Sequence, residues 1–385
     1  MELIDRFLPI PAGNFFLFGP RGTGKSTWLR QKFPDALLID LLDADTVRGY
    51  LSRPERLKEL LEGNPKSQQV IIDEIQRVPA LLDVVHQLVE GKPPFQFILT
   101  GSSARKLKRT GVNLLAGRLL LKTLHPFMAA ELGPRFNLSQ SLQLGLLPLV
   151  LGADDPRETL KSYAVLYLRE EIQAEGLVRN LGGFSRFLEV ISLSQGSLLN
   201  ISNVSRECQV GRKTVEGFVE ILEDLMLGFR VQVFTRRAQR HLVNHPKFYF
   251  MDAGVFRALR PRGPLDSPEE IGGACLEGLV AQHLRAWAAY TPGDHQLYYW
   301  RTKSGTEVDF VLYGDQAFWA IEVKNSRSVS GRDVKSLLAF QEDYPQAQTC
   351  LLYGGKERMK IKGVLCLPCD DFLLRLSPGS TFPGV

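Results

Sequence analysis

Gly19-Pro20-Arg21-Gly22-Thr23-Gly24-Lys25-Ser26 decides how this chain is read. It fits G-x-x-x-x-G-K-[ST] and follows the apolar run Phe15-Phe16-Leu17-Phe18, so strand, loop and helix come in the order a phosphate-binding loop needs. Glycines at this spacing let successive backbone N–H groups turn inward around phosphates, an approach that larger side chains would obstruct. Lys25 then reaches the terminal phosphates and the Ser26 hydroxyl ligates Mg2+. Thr27 opens the following helix, whose positive end faces the same phosphates. Such a pattern also arises by chance as a glycine turn. A second signal argues against chance: Val70-Ile71-Ile72 is a buried-type strand ending in Asp73-Glu74. That is the arrangement of a Walker-B element, with Asp73 holding the Mg2+ hydration shell and Glu74 orienting and deprotonating an attacking water. ATP and Mg2+ are the cofactors this pairing calls for.

Outward from the loop, Leu37 to Asp40, Phe95 to Thr100 and Leu119 to Leu124 read as further strands. Helix patterns lie between them, such as Arg56 to Glu62 and Leu81 to Glu90, where Leu81, Val84, Val85 and Leu88 share one face. Alternation of this kind predicts an α/β fold with a parallel sheet covered on both sides and ligands at the carboxyl ends of its strands. With 385 residues the chain exceeds a single usual core. The expected division is 1–130 for the ATPase core, 131–194 for a helical lid or linker, 195–262 for a winged helix and 263–385 for a second α/β unit.

At the end of the fourth strand stands Thr100-Gly101-Ser102-Ser103. The order of phosphate loop, acid pair and polar residue resembles the AAA+ branch of phosphate-loop ATPases. That resemblance implies Ser102 as the sensor of the terminal phosphate, with Thr100 as the fallback. It also implies Arg118 as an arginine finger, a group often supplied by a neighbouring subunit, and so a homo-oligomer. A solvated helix-end arginine is the bland alternative. The helical stretch after His125, clearest at Lys161 to Ile172, resembles the lid of that family, with Arg169 as a lid residue that could contact nucleotide, against the plainer fate of a helix arginine in an i,i+4 ion pair or in solvent.

Residues 198–222 hold two short helical patterns around Val210-Gly211 and resemble a helix-turn-helix. The strand-like Phe229 to Phe234 follows and leads to a basic tip. DNA is the expected partner, contacted by Arg212, Lys213, Arg236, Arg237 and Arg240. A winged helix that binds protein through a solvated basic loop is the alternative. Farther on, Asp309 precedes Glu322-Val323-Lys324 across two predicted strands joined at Gly314-Asp315. These residues, with Glu277 on a preceding helix, resemble the PD-(D/E)XK nuclease signature. The resemblance implies a restriction-endonuclease-like α/β fold in which the carboxylates hold Mg2+ and Lys324 orients water, or else a fold no longer catalytic. Taken together with Lys247 to Gly254, the chain resembles prokaryotic AAA+-like ATPases fused to a C-terminal winged-helix and nuclease-like domain of unknown function. One departure is Gly145-Leu146-Leu147-Pro148, where many relatives pair two glycines.

Composition excludes disorder, since 44% of residues are hydrophobic and 23% charged. The net charge of +5 is compatible with nucleic acid without pointing to it. Five scattered cysteines suggest a reducing compartment such as the cytoplasm. Cys366 and Cys369 form a C-x-x-C with no second ligand pair near, which points away from zinc. No signal peptide or membrane-spanning run is read.

Overall fold

A computed structural model describes residues 3–91, 94–101, 117–167, 181–236, 240–264, 266–315, 317–380 and 382–383, the side chain of Tyr167 excepted. The chain divides into two compact units, one formed by 8–125 with 224–226, the other by 1–7, 126–223 and 227–385.

In the first unit, β1 (Phe15–Phe18), β2 (Leu37–Asp40), β3 (Gln69–Asp73), β4 (Gln96–Gly101) and β5 (Leu120–Thr123) form one parallel sheet in the order β2-β3-β4-β1-β5. All four residues of β1 are buried, as expected of a parallel strand covered on both faces. Phe16, Phe18, Ile72, Leu99, Leu82 and Val85 are part of the core on which the helix Leu81–Glu90 packs. Because β4 lies between β1 and β3, its carboxyl end stands beside both the phosphate loop and Asp73.

The second unit is built on a mixed sheet of nine strands. Its members are β6 (Ser197–Leu198), β7 (Gly228–Val233), β8 (Lys247–Phe250), β9 (His295–Arg301), β10 (Glu307–Gly314), β11 (Ala317–Lys324), β12 (Gln348–Tyr353), β13 (Met359–Ile361) and β14 (Val364–Pro368), in the order β13-β14-β12-β11-β10-β9-β7-β8-β6. The helices Leu181–Ser192, Ile201–Cys208 and Arg212–Asp224 precede β7, and Asn200 caps the second by accepting from Asn203 N at 3.1 Å. The predicted hairpin at Gly314-Asp315 is present, with Gly314 opposite Ala317.

Segments expected as separate at 195–262 and 263–385 share this sheet, since β7 and β9 pair in parallel at Gln232 with Tyr298 and Val233 with Tyr299. Residues 131–167 and 181–194, expected as a lid on the ATPase core, group with the second unit. Their clearest helix begins at Pro156 rather than Lys161, because Asp155 caps it by accepting from the backbone N–H groups of Arg157 and Glu158. It passes into a π-helical turn over Tyr163–Tyr167. No helix among the described residues is long and apolar enough to cross a membrane.

The segment Lys247 to Gly254 has a clear physical task. Asp252 caps the helix Ala253–Leu259 through Gly254 N at 2.9 Å and Val255 N at 3.1 Å, and also accepts from Leu146 N at 2.6 Å. Gly145 lies under that carboxylate with φ +71, and a Cβ there would stand 1.9 Å from Asp252 Oδ1. The Cα of Gly254 faces Leu144 O, so that a Cβ would fall 2.3 Å from it. A single glycine at 145 is what the contact demands.

Candidate functional site

The loop after β1 folds around its own glycines. Gly22 and Gly24 take φ +83 and +85, in the left-handed region open to glycine, and a Cβ on Gly19 would come within 2.5 Å of Leu124 O. Thr23 Oγ1 donates to Pro20 O at 2.8 Å. Lys25 is buried at 7% exposure and donates to Gly19 O at 2.6 Å and Pro20 O at 3.3 Å. Its helix, Lys25–Lys32, starts immediately after Gly24. Pro20 is buried; Arg21 and Thr27 are exposed beside the loop.

At the ends of β3 and β4 a compact polar set forms. Ser26 Oγ donates to Asp73 Oδ2 at 2.8 Å, and Thr100 Oγ1 donates to Asp73 Oδ1. The same Thr100 hydroxyl accepts from Glu74 N at 3.0 Å. Glu74 itself sits in the left-handed region, φ +60 and ψ +48, and its carboxylate accepts from Gln76 Nε2. Gly101 leaves room for that glutamine, since a Cβ there would lie 2.7 Å from Gln76 Oε1.

Hydrogen bonds thus link Ser26, Asp73, Thr100 and the backbone of Glu74, while Lys25, next to Ser26 in the chain, bonds to Gly19 O and Pro20 O. Thr100 is occupied with holding Asp73, and Gln76 was not anticipated, although it stands only two residues past Glu74. Ser102 and Arg169 lie outside the described residues. Arg118 is half exposed and ion-paired to Glu90. A hydroxyl and a carboxylate 2.8 Å apart beside a glycine-rich loop are hard oxygen donors suited to Mg2+, so these residues fit the ion.

In the second unit Glu277 and Glu322 both lie within electrostatic reach of Asp309. Asp309 lies within a bulge where β10 gains one residue on β9 between Val308 and Val311, a device that re-aims side chains. Asp309 Oδ2 accepts from Val323 N at 2.9 Å. Lys324 Nζ donates to Glu322 Oε1 at 2.6 Å, and Ser336 Oγ to Glu322 Oε2 at 3.2 Å. Glu277 Oε1 accepts from Tyr249 OH at 2.7 Å. Burial, reinforced by the Asp309 charge, pushes the carboxyls of Glu277 and Glu322 upward.

Two members were missed. Lys247 stands among the acids, 3.0 Å from Glu277 Oε1 and 3.3 Å from Asp309 Oδ1, and Glu307 also contacts it. Burial pulls this amine toward neutrality, but the surrounding Tyr249, Glu277, Asp309 and Glu307 hold its pKa well above the ordinary lysine value. Glu307 was findable, because side chains two apart on a strand share a face and Asp309 marks that face. Among the described residues no group of three or more His, Cys, Asp or Glu is arranged to hold a metal ion.

The basic positions fall as follows. Arg212 pairs with Glu216 at 3.1 Å on an exposed helix face, and Lys213 is exposed beside it. Arg236 lies over the Tyr313 ring, 4.7 Å from its centroid. Arg240 donates to Glu342 at 2.7 Å and Asp343 at 2.8 Å. Arg237 lies outside the described residues. All five cysteines are free and buried, Cys366 and Cys369 included.

Residues 13–133 match the AAA domain family, while 135–266 and 272–372 match two domains of unknown function, DUF8612 and DUF4143. The N-terminal region is thus similar to the AAA domain family. The chain is 26% identical over 369 residues to the uncharacterized protein Rv2008c of Mycobacterium tuberculosis (strain ATCC 25618 / H37Rv), spanning 93% of this chain and 80% of that protein. The figures are the same for the uncharacterized protein Mb2031c of Mycobacterium bovis. Among solved structures, the replication initiator DnaA bound to AMPPCP and single-stranded DNA aligns over 55% of this chain and 82% of its own, at 12% identity and TM-score 0.27. Caenorhabditis elegans PCH-2 aligns over 55% and 61%, at 12% identity and TM-score 0.24. Scores this low carry no argument about function.

Proposed function

We propose that the protein is a Mg2+-dependent ATP hydrolase whose nucleotide cycle is coupled to DNA binding by the second unit. The observation that carries the hydrolase reading is the linked set Ser26, Asp73, Thr100 and Glu74 at the mouth of a glycine-lined loop. In this reading the loop amides and Lys25 hold the β- and γ-phosphates, and Lys25 exchanges its bonds to Gly19 O and Pro20 O for phosphate oxygens. Bound Mg2+ would neutralise phosphate charge, with Ser26 and Asp73 as its protein-side partners. Glu74, held by Gln76, accepts a proton from water as that water attacks the γ-phosphorus; the bond to the bridging oxygen breaks and ADP leaves. Arg118, released from Glu90, is the candidate finger in a neighbouring copy.

DNA coupling is supported by a helix pair followed by a strand, with Arg212 and Lys213 exposed at the start of the second helix. A second reading makes the partner a protein and the cycle a slow switch. It is favoured by the engagement of Arg236 and Arg240 with Tyr313, Glu342 and Asp343. The test is steady-state ATP turnover with and without single-stranded and duplex DNA, alongside fluorescence anisotropy of the same DNA. Lys25→Ala is expected to abolish turnover, and Glu74→Gln to bind ATP without hydrolysing it. Turnover in Lys25→Ala equal to wild type would reject the hydrolase, whereas DNA without effect on turnover or anisotropy would leave the protein-partner reading.

A further inference from the structure

Three carboxylates meet in the second unit from two elements: Glu277 on the helix Pro268–Tyr290, and Glu307 and Asp309 on β10. A layout of this kind, with Glu322-Val323-Lys324 on the next strand, invites a divalent ion. Its centre is already taken. Lys247 reaches in from the head of β8 with its side chain only 2% exposed, and its ammonium contacts an oxygen of each acid.

We propose that Lys247 is the resident cation of this cluster, standing where a nuclease of similar layout would carry its metal, so that the unit takes up no divalent ion there and cuts no phosphodiester bond. Position argues for it first. A divalent ion on these oxygens would lie about 2.0–2.6 Å from each of them, inside the contact shell of the ammonium, and the two cannot coexist. Backbone pairing to Leu198 of β6 on one side and Val231 of β7 on the other fixes the base of the Lys247 side chain, and at 2% exposure that side chain is enclosed by protein along its length.

Oxygen use argues in the same direction. Asp309 also accepts from Val323 N, Glu277 from Tyr249 OH, and Glu307 from Arg301 at 2.8 Å, while Glu322 is shared between Lys324 and Ser336. Charge gives the third argument. The ammonium of Lys247 is the positive charge set directly among Glu277, Glu307 and Asp309, and removing it leaves those acids without the cation they share, which favours a metal ion in its place. An ammonium buried this deeply would be expelled or neutralised without its acids, so each side holds the other in place. The cluster thereby fastens β8, β10 and the long helix together.

The experiment is Mn2+ uptake by the full chain without nucleotide, followed by the loss of the free-ion electron paramagnetic resonance signal. Ser26 and Asp73 can also take Mn2+, so only uptake that disappears with Asp309→Asn is counted. Wild type is expected to show none at submillimolar Mn2+. Lys247→Met is expected to take up a single ion per chain, lost again in the double variant with Asp309→Asn. Lys247→Gln, which keeps a donor, is carried in parallel and decides the matter if the methionine variant does not fold. If both need Mn2+ to fold, as read by circular dichroism, that too is the expected behaviour. Asp309-dependent uptake by wild type would overturn the proposal, and so would folded Lys247 variants that take up nothing, or variants that Mn2+ does not fold. None of these outcomes depends on ATP turnover.

Discussion

Thr100 uses one hydroxyl for two purposes: it donates to Asp73 and accepts from the backbone of Glu74. Both groups are needed for hydrolysis in the proposed scheme. A hydrogen bond to a charged partner contributes about 1.5–3 kcal/mol. Thr100→Val keeps the shape and removes the hydroxyl, so ATP turnover is expected to fall about tenfold or more while analogue binding changes less. Steady-state assays and fluorescence titration would show the split, and unchanged turnover would mean that Asp73 needs no such support. Gly145 offers a stability test in the other unit. Alanine there meets both an unfavourable φ of +71 and a carboxylate oxygen 1.9 Å away. Gly145→Ala should cost about 3 kcal/mol or more, read from urea midpoints. Of these residues, the loop and Asp73-Glu74 were legible because their chemistry depends on local spacing. Lys247 was not. A lysine opening the apolar stretch Phe248-Tyr249-Phe250 looks like an ordinary strand end until acids 30 to 62 positions away close around it.

Among the elements, the long helix carries a pH-dependent joint. His283 Nε2 accepts from Ala129 N at 2.8 Å, and its Nδ1 donates to Leu279 O at 2.7 Å, so the fold requires a neutral ring. Burial lowers its pKa from 6.5 to about 4. As pH falls through that window the unfolded chain gains a proton that the folded chain refuses, and stability drops by on the order of 3 kcal/mol. Asp252 acts in the opposite sense, because burial raises its carboxyl from 3.8 to about 6. Its contribution is present at low pH and lost as pH rises through about 6. The comparison must therefore be between wild type and His283→Gln. The stability advantage of wild type at pH 7 should shrink as the pH approaches 4, and a constant gap in urea midpoints would contradict it. Elements themselves were legible where one force dominates. Strands buried on both faces show as plain apolar runs, and Ser267-Pro268 announces its helix, which Ser267 caps through Glu270 N at 3.3 Å. The bulge at Asp309 has no such local signature, since it depends on the register of β9 against β10.

For the whole molecule, two compact units imply two separable responses. A hydrolysis-resistant ATP analogue with Mg2+, at a hundred times its dissociation constant, adds about 2.7 kcal/mol to whatever binds it. Calorimetry should show one melting transition rising and the other unmoved, and a shift shared equally by both would argue against nucleotide binding confined to the unit around β1. The strands of the first unit and β7, β10 and β11 of the second could be read ahead of the structure, but β9, β12 and β14 were not, and neither was the joining of β7 to β9. That pairing spans about sixty residues and involves Gln232, Val233 and Phe234, none of which marks a partner. It has a practical outcome. A polypeptide severed after residue 262 would leave each piece with a raw margin of unanswered amides and carbonyls. Such halves should clump when made alone and rescue one another when made together.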